Sequence, residues 1–372
     1  MEKGGKLMEQ KQGGLTQPAL GIWGSIFVIL LSYSVFIWFK PEGFGSYLTW
    51  FAIAMIPMEI IIGMVWQGNY PPPAATLAQP LKGVYLFLVM AMVGLIVGSW
   101  TLKYVGGMVT PPTPFLNMYM ILSVPVALWM VVCFQCWPAA AIKKHPAFIG
   151  LGTLFLSYIV CLIIFRLSFN FGFAEKAPWY VAALDPKGAF MAFDAIAFYV
   201  TAVGVILACV LLDFWPLSKI PPKAPWFGKQ PVFGIVATIW VLIWSYIVWA
   251  IFKNAMGMDV VSYMLKVAVC WIFGEFIMLV MMETYPFQKT KQPGRGFGLI
   301  IFTIILAIVM YYIYRWLGVL ATGGLPAGPP AFAQELWIAS AMLAVTFPMM
   351  VLFTGFFGSW PLREPAPPPP AK

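Results

Sequence analysis

Apolar residues run along this chain in ten long blocks, near 18–39, 46–67, 81–104, 115–137, 146–169, 188–214, 231–253, 258–283, 296–316 and 333–360. Each holds about 20 residues or more, enough for a helix at 1.5 Å per residue to cross the roughly 30 Å hydrocarbon core of a bilayer. Two phrases punctuate the blocks. One closes every second block: Gln135-Cys136-Trp137-Pro138, Asp213-Phe214-Trp215-Pro216, Glu283-Thr284-Tyr285-Pro286 and Gly358-Ser359-Trp360-Pro361. Asn69-Tyr70-Pro71, close behind Gln67, is a looser copy. The other phrase opens the next block: Gln17-Pro18, Gln79-Pro80, His145-Pro146, Gln230-Pro231 and Gln292-Pro293. Gly21, Gly83, Gly234 and Gly296 each follow three residues after such a Pro.

Internal repetition decides the fold class. The pattern predicts an all-α integral membrane protein of about ten transmembrane helices, arranged as five tandem helical-hairpin repeats. The hairpins are 18–71, 80–138, 146–216, 231–286 and 293–361, within one transmembrane domain, 18–361. A polar tail, 1–17, precedes them and a Pro-rich tail, 362–372, follows. An odd number of parallel repeats does not divide into the two equal halves of many secondary transporters. Pro57, Pro125 and Pro348 recur 13 or 14 residues before the terminal Pro of their copies. A Pro there frees a backbone carbonyl one turn earlier and kinks the helix, either to line a cavity or to help packing. The longest polar gap, 170–187, carries Phe173, Trp179 and Tyr180 and is expected to lie along the membrane surface.

Composition identifies the solvent. Hydrophobic residues make up 62% and charged residues 9%, where soluble domains are about a quarter charged. The net charge of +9 does not call for nucleic acid, because its distribution accounts for it. Of the 22 Lys and Arg, 14 lie on the side carrying the closing phrases and 7 on the other, with Lys266 inside a block. The positive-inside rule therefore puts both termini in the cytoplasm, and the plasma (inner) membrane is the expected location. The first block is too long for a signal h-region and lacks a small-residue cleavage site, so no cleavable signal peptide is expected.

Little metal or redox chemistry is on offer. Cys133 and Cys136 form a C-x-x-C at the end of an apolar helix, and Cys161, Cys209 and Cys270 are isolated. Buried apolar thiols are the expectation. His145 is the single histidine, which excludes bis-histidine haem ligation within the chain. No cofactor and no metal site is expected.

Two carboxylates stand out by depth. Glu275 is 11 residues before Pro286 and Glu59 is 12 before Pro71. Both therefore sit about 16–18 Å from the helix end, at mid-membrane. They occupy one position of the repeat, where the other copies have Ala127, Val205 and Met350. A charged, unpaired carboxylate at that depth costs several kcal/mol, so it marks a functional site by default. The structural alternative is a protonated side chain bonded to a neighbouring hydroxyl or carbonyl. Trp271 is one turn before Glu275, and Trp240 and Trp244 lie at similar depth on the preceding helix. Together these suggest an aromatic cage for an organic cation. In a chain that is 17% aromatic, interfacial belt residues are the competing explanation. Asp194, Lys266 and Glu335 fall near the outer interface and are expected to snorkel or pair. Gln135, Asp213 and Glu283 end their helices, where a carboxylate opposes the macrodipole and needs a cationic partner. Lys219, Lys223, Lys289 and Lys291 are nearest in sequence. A charge ring locking neighbouring hairpins and an ion gate are the two readings of that set.

Three function classes follow. The first is a permease or channel for a small solute, a small amine or other cation among the candidates, with Glu59 and Glu275 for coupling. The second is a membrane subunit that scaffolds a larger complex, with partner subunits or a homo-oligomer. The third is a membrane enzyme acting on lipid or quinone, which no H-E-x-x-H, G-x-S-x-G or clustered Asp/His pattern supports.

Overall fold

The computed structural model describes residues 13–364, with the backbone alone at Glu42. The outer parts of both predicted tails, 1–12 and 365–372, lie outside the described residues. Among the described residues, ten helices are long and apolar enough to cross a membrane: α1 (Ala19–Trp38), α2 (Phe44–Val65), α3 (Leu81–Tyr104), α4 (Pro114–Val132), α5 (Pro146–Ser168), α6 (Ala192–Leu211), α7 (Val232–Ala255), α8 (Val260–Met281), α9 (Gly294–Thr322) and α10 (Ala333–Phe356). Most ends fall within a few residues of the apolar blocks. The largest departures are α4, which stops five residues early, and α9, which runs six residues further to a left-handed Gly323.

Burial sorts the helices into two shells. The even-numbered helices are 50–78% buried and the odd-numbered ones 17–39%. The even helices form the inner shell, each packing on the next in chain order, and α10 packs on α2 to close the ring. The outer helices show large apolar side chains to the surroundings, Leu30, Ile96, Phe155 and Ile308 among them, as lipid-facing helices do. Each outer helix packs along the inner helix just before it in the chain, and α1 packs on α10. The close antiparallel pairs α2–α3, α4–α5, α6–α7 and α8–α9 are thus those joined at the face carrying the Trp-Pro or Tyr-Pro phrases, called here the junction face. The two helices joined across the opposite face touch less, α9 and α10 the most among them. Small residues set the close contacts: Gly94 lies against Met55, Gly98 against Trp50, and Gly274 against the backbone of Thr303.

One backbone arrangement recurs at the junction ends of all five inner helices. Two successive residues take positive φ: Gln67 and Gly68, Gln135 and Cys136, Asp213 and Phe214, Glu283 and Thr284, Gly358 and Ser359. In four of the five, the amide of the second residue bonds back to the carbonyl six residues earlier (Gly68 to Ile62, Cys136 to Met130, Thr284 to Met278, Ser359 to Phe353). This is the left-handed helix stop that satisfies orphan carbonyls. The helix therefore ends at this turn, two to four residues ahead of the Pro, which explains the early stop of α4. The peptide before each of those prolines is cis.

The Gln-Pro phrases turn out to be clamps. Gln17, Gln79, Gln230 and Gln292 each donate Nε2 to a carbonyl at the end of an inner helix, at 2.7–2.9 Å: Met281, Phe356, Cys133 and Leu211. Each carbonyl is two residues before the left-handed pair. The same amide's Oε1 accepts from the backbone N–H of Gly21, Gly83, Gly234 or Gly296 at 3.1–3.2 Å. At these four places a Cβ on the Gly would collide with the inner-helix end, with Phe357 for Gly83 and Leu212 for Gly296. The fifth outer helix, α5, opens with His145-Pro146, and there Trp66 Nε1 supplies the bond, donating to the Pro146 carbonyl at 2.8 Å. Every outer helix is so pinned, at its start, to the inner helix two places back in the ring. The ends of the described chain close it: Leu15 N donates to the Leu362 carbonyl and Glu364 N to the Gly13 carbonyl, at 2.8 and 2.9 Å.

On the opposite face the segment between α5 and α6 is folded rather than laid out flat. Two short parallel strands, β1 (Phe169–Asn170) and β2 (Phe190–Met191), pair there. The Asp185 carboxylate accepts from Phe171 N, Lys187 N and Tyr180 Oη. Phe171 is fully buried against Phe115 at the start of α4, ring centroids 4.4 Å apart. The loop thus carries its own aromatic core, with Phe173 left exposed.

Candidate functional site

The inner ring encloses a cavity of about 360 Å³, walled by all five inner helices. That volume lies at the small end of the roughly 300–1,000 Å³ typical of ligand pockets. Its walls are Ile, Val and Leu almost throughout, with Phe276, Phe347, Pro125 and Pro348. Toward the junction face the lining includes exposed Met64 and Gly355. Toward the other face it narrows to Ile53, Ile121 and Leu343, which also line a second cavity of about 70 Å³, again bounded by all five inner helices. Two apolar chambers are stacked along the ring, with an aliphatic collar between them.

Glu59 lines the larger chamber. Its side chain is 2% exposed, and Oε1 finds no hydrogen-bond partner among the described residues. The other polar side chain of that wall, Thr354, already donates its hydroxyl to the Met350 carbonyl at 2.9 Å. Glu275 occupies the same place in α8, eight residues before the left-handed pair, but it is absent from the cavity wall. It is completely buried, and neither carboxylate oxygen has a partner among the described residues. The two acids are therefore not brought to one interior: Glu59 faces the chamber and Glu275 is sealed between helices. Each is followed two residues later by a π-helical turn, Ile61–Val65 and Ile277–Met281, a feature frequent at functional sites.

The three tryptophans do not converge on Glu275. Trp271 lies against Gly204 of α6 and donates Nε1 to Thr303 Oγ1 of α9 at 3.1 Å. Trp240 and Trp244 pack on each other at 5.9 Å on the outer helix α7, and Trp244 is 43% exposed. An outer helix that is 17% buried has no access to the chamber.

At the junction face Asp213 pairs with Arg295 at 2.6 Å and Glu283 with Arg363 at 2.9 Å, while Gln135 is exposed. The partners are thus two arginines about 80 residues away, not the nearby lysines, because the clamps bring α9 and the last junction against those helix ends. On the other face Asp194 meets Lys253 at 3.9 Å, Lys266 lies 5.9 Å from the Tyr311 ring, and Glu335 accepts from Gly328 N. The five cysteines are free and buried. Burial raises the Cys136 thiol above its ordinary range, which disfavours the reactive thiolate. Among the described residues no group of His, Cys, Asp and Glu could hold a metal ion. Sequence reasoning missed the collar and the arginine partners, both products of long-range packing. No known protein family, curated protein or solved structure matches this chain.

Proposed function

We propose that this protein is a membrane permease or channel that moves a small solute along the axis of the inner ring. The observation that carries the reading is the chamber: bounded by all five inner helices, set apart from a smaller one by Ile53, Ile121 and Leu343, with a mid-depth carboxylate in its wall. A charged Glu59 without a counter-ion there costs several kcal/mol, so a small amine or other cation, or a proton, completes the site. Glu59 and Glu275 are the coupling groups of this reading, Glu275 acting from within the helix interface. The paired ends Asp213 and Glu283, with Gln135, form the ring at the mouth, which lies in the cytoplasm with both termini. Five copies of one module are part of the same reading; the recurring left-handed helix stops and Gln clamps support it.

Counterflow in proteoliposomes tests it. Loaded with an unlabelled amine panel, vesicles carrying the protein are expected to accumulate the matching labelled amine, and both Glu59→Gln and a collar plug, Ile53→Trp, to suppress this in folded protein. Flux unchanged in both variants, or absent for the whole panel, removes the permease reading and favours a scaffold that copurifies with fixed partners.

A further inference from the structure

The chamber's chemistry selects among cations. Glu59 is the sole ionisable side chain in the wall among the described residues, and the Thr354 hydroxyl is already committed to a backbone carbonyl. A bare metal ion or a small hydrophilic ammonium would shed its water there and recover one carboxylate, which does not replace a hydration shell. A dication would find half of its counter-charge, because Glu275 is sealed outside. A neutral apolar molecule would suit the walls and leave Glu59 as unpartnered as before. An anion would meet a carboxylate and no cation. What fits all of the wall is a single positive charge on an apolar body.

We propose that the chamber binds a lipophilic monocation, an ammonium bearing an aryl or branched-alkyl group, with Glu59 as its counter-charge and the aliphatic walls of α2, α4 and α6 around its body. This rests on reading the chamber as the solute site of the permease. Recognition here is charge plus aliphatic contact, not a tryptophan cage: Trp271 is tied to Thr303, and the pair Trp240–Trp244 lies on an outer helix. The aromatic groups that the ligand meets are Phe276 and Phe347, which stack on each other at 5.0 Å in the chamber wall. Glu59 is 2% exposed, lines the space and keeps Oε1 without a partner, which makes it a built site that a cation completes.

The test uses the full chain in lipid nanodiscs and tritiated 3-phenylpropyl-trimethylammonium, a probe whose charge does not depend on pH. Competitors are the unlabelled ammonium and its neutral isostere with carbon in place of nitrogen. Saturable binding is expected, with the ammonium competing at least about 30-fold better than the isostere, the scale set by losing one partner of a buried charge pair. Glu59→Gln should weaken binding by a similar factor. Should Glu59→Gln fail to fold, Val124→Trp fills the chamber while keeping the carboxylate and is expected to abolish binding. Absence of saturable binding, equal competition by the isostere, or full affinity in Glu59→Gln or Val124→Trp overturns the proposal. The two readings separate cleanly: Glu59-dependent binding without counterflow removes the permease and keeps the site, and counterflow of another solute without ammonium binding does the reverse.

Discussion

On one side of the inner ring α4 and α6 run as regular α-helices to their last turn. On the other side α8, α10 and α2, consecutive in the ring, each pass through a π turn that ends two residues before the left-handed pair: Ile277–Met281, Leu352–Phe356 and Ile61–Val65. Both mid-depth carboxylates belong to the second side. At the matching place the regular helices carry Ala127 and Val205, and α10 carries Met350. A π turn leaves backbone groups out of the i→i+4 ladder, and such groups make its surroundings more polar than those of a regular apolar helix. Gln clamps hold helix ends on both sides, with Trp66 taking that part at α2, and the two sides differ in the winding of the inner helices themselves.

The largest effect should come from moving the acid. Ala127→Glu and Val205→Glu, each adding an acid beside a regular helix, are expected to lower stability by about 3 kcal/mol or more. Met350→Glu, next to a π turn, should cost about half as much. Thermal unfolding of the purified variants compares them, and equal losses would break the link between winding and acid. Smaller, but still large, is the close contact at Gly274. A Cβ there runs into the Thr303 backbone, so Gly274→Ala should cost about 2–3 kcal/mol, whereas Gly234→Ala on the α side meets the movable Phe134 ring and should cost about 1 kcal/mol.

Next come the clamps. Gln17→Ala and Gln230→Ala each remove a bond to a helix-end carbonyl, Met281 in a π turn and Cys133 beyond a regular helix. About 1 kcal/mol is expected for each. A clearly larger loss at Gln17 would show that the π turn depends on its clamp. The smallest effects belong to the exposed ion pairs: Asp213→Asn and Glu283→Gln should each cost less than about 1 kcal/mol, and less still in high salt.

Much of this architecture was legible from residues alone. Ten apolar blocks marked the ten helices, and the closing phrases marked the junctions. Gln-Pro with Gly three residues on was visible as a recurring helix start. Its role as a clamp was not, because the receiving carbonyl of Met281 is 264 residues from Gln17 and only packing brings it there. Depth along a helix could be counted from Pro71 and Pro286, and it put Glu59 and Glu275 at one level. What surrounds each acid could not, since both precede a π turn by the same two residues and only long-range packing puts Glu59 in the chamber wall and leaves Glu275 out of it. Asp213 and Glu283 visibly needed cations, yet Arg295 and Arg363 were out of reach of any local rule.

The central claim is that the chamber within the ring is the solute path, and cysteine accessibility at Val203 and Val205 tests it most directly. Both are buried in α6, two residues apart; Val203 lines the chamber and Val205 does not. In proteoliposomes, a small ammonium-bearing methanethiosulfonate is expected to modify Val203→Cys from the junction face, and 3-phenylpropyl-trimethylammonium to protect it. Val205→Cys and the native chain, whose five cysteines are buried, should stay unmodified. Equal reactivity at 203 and 205, or a Val203→Cys that never reacts, would contradict the account.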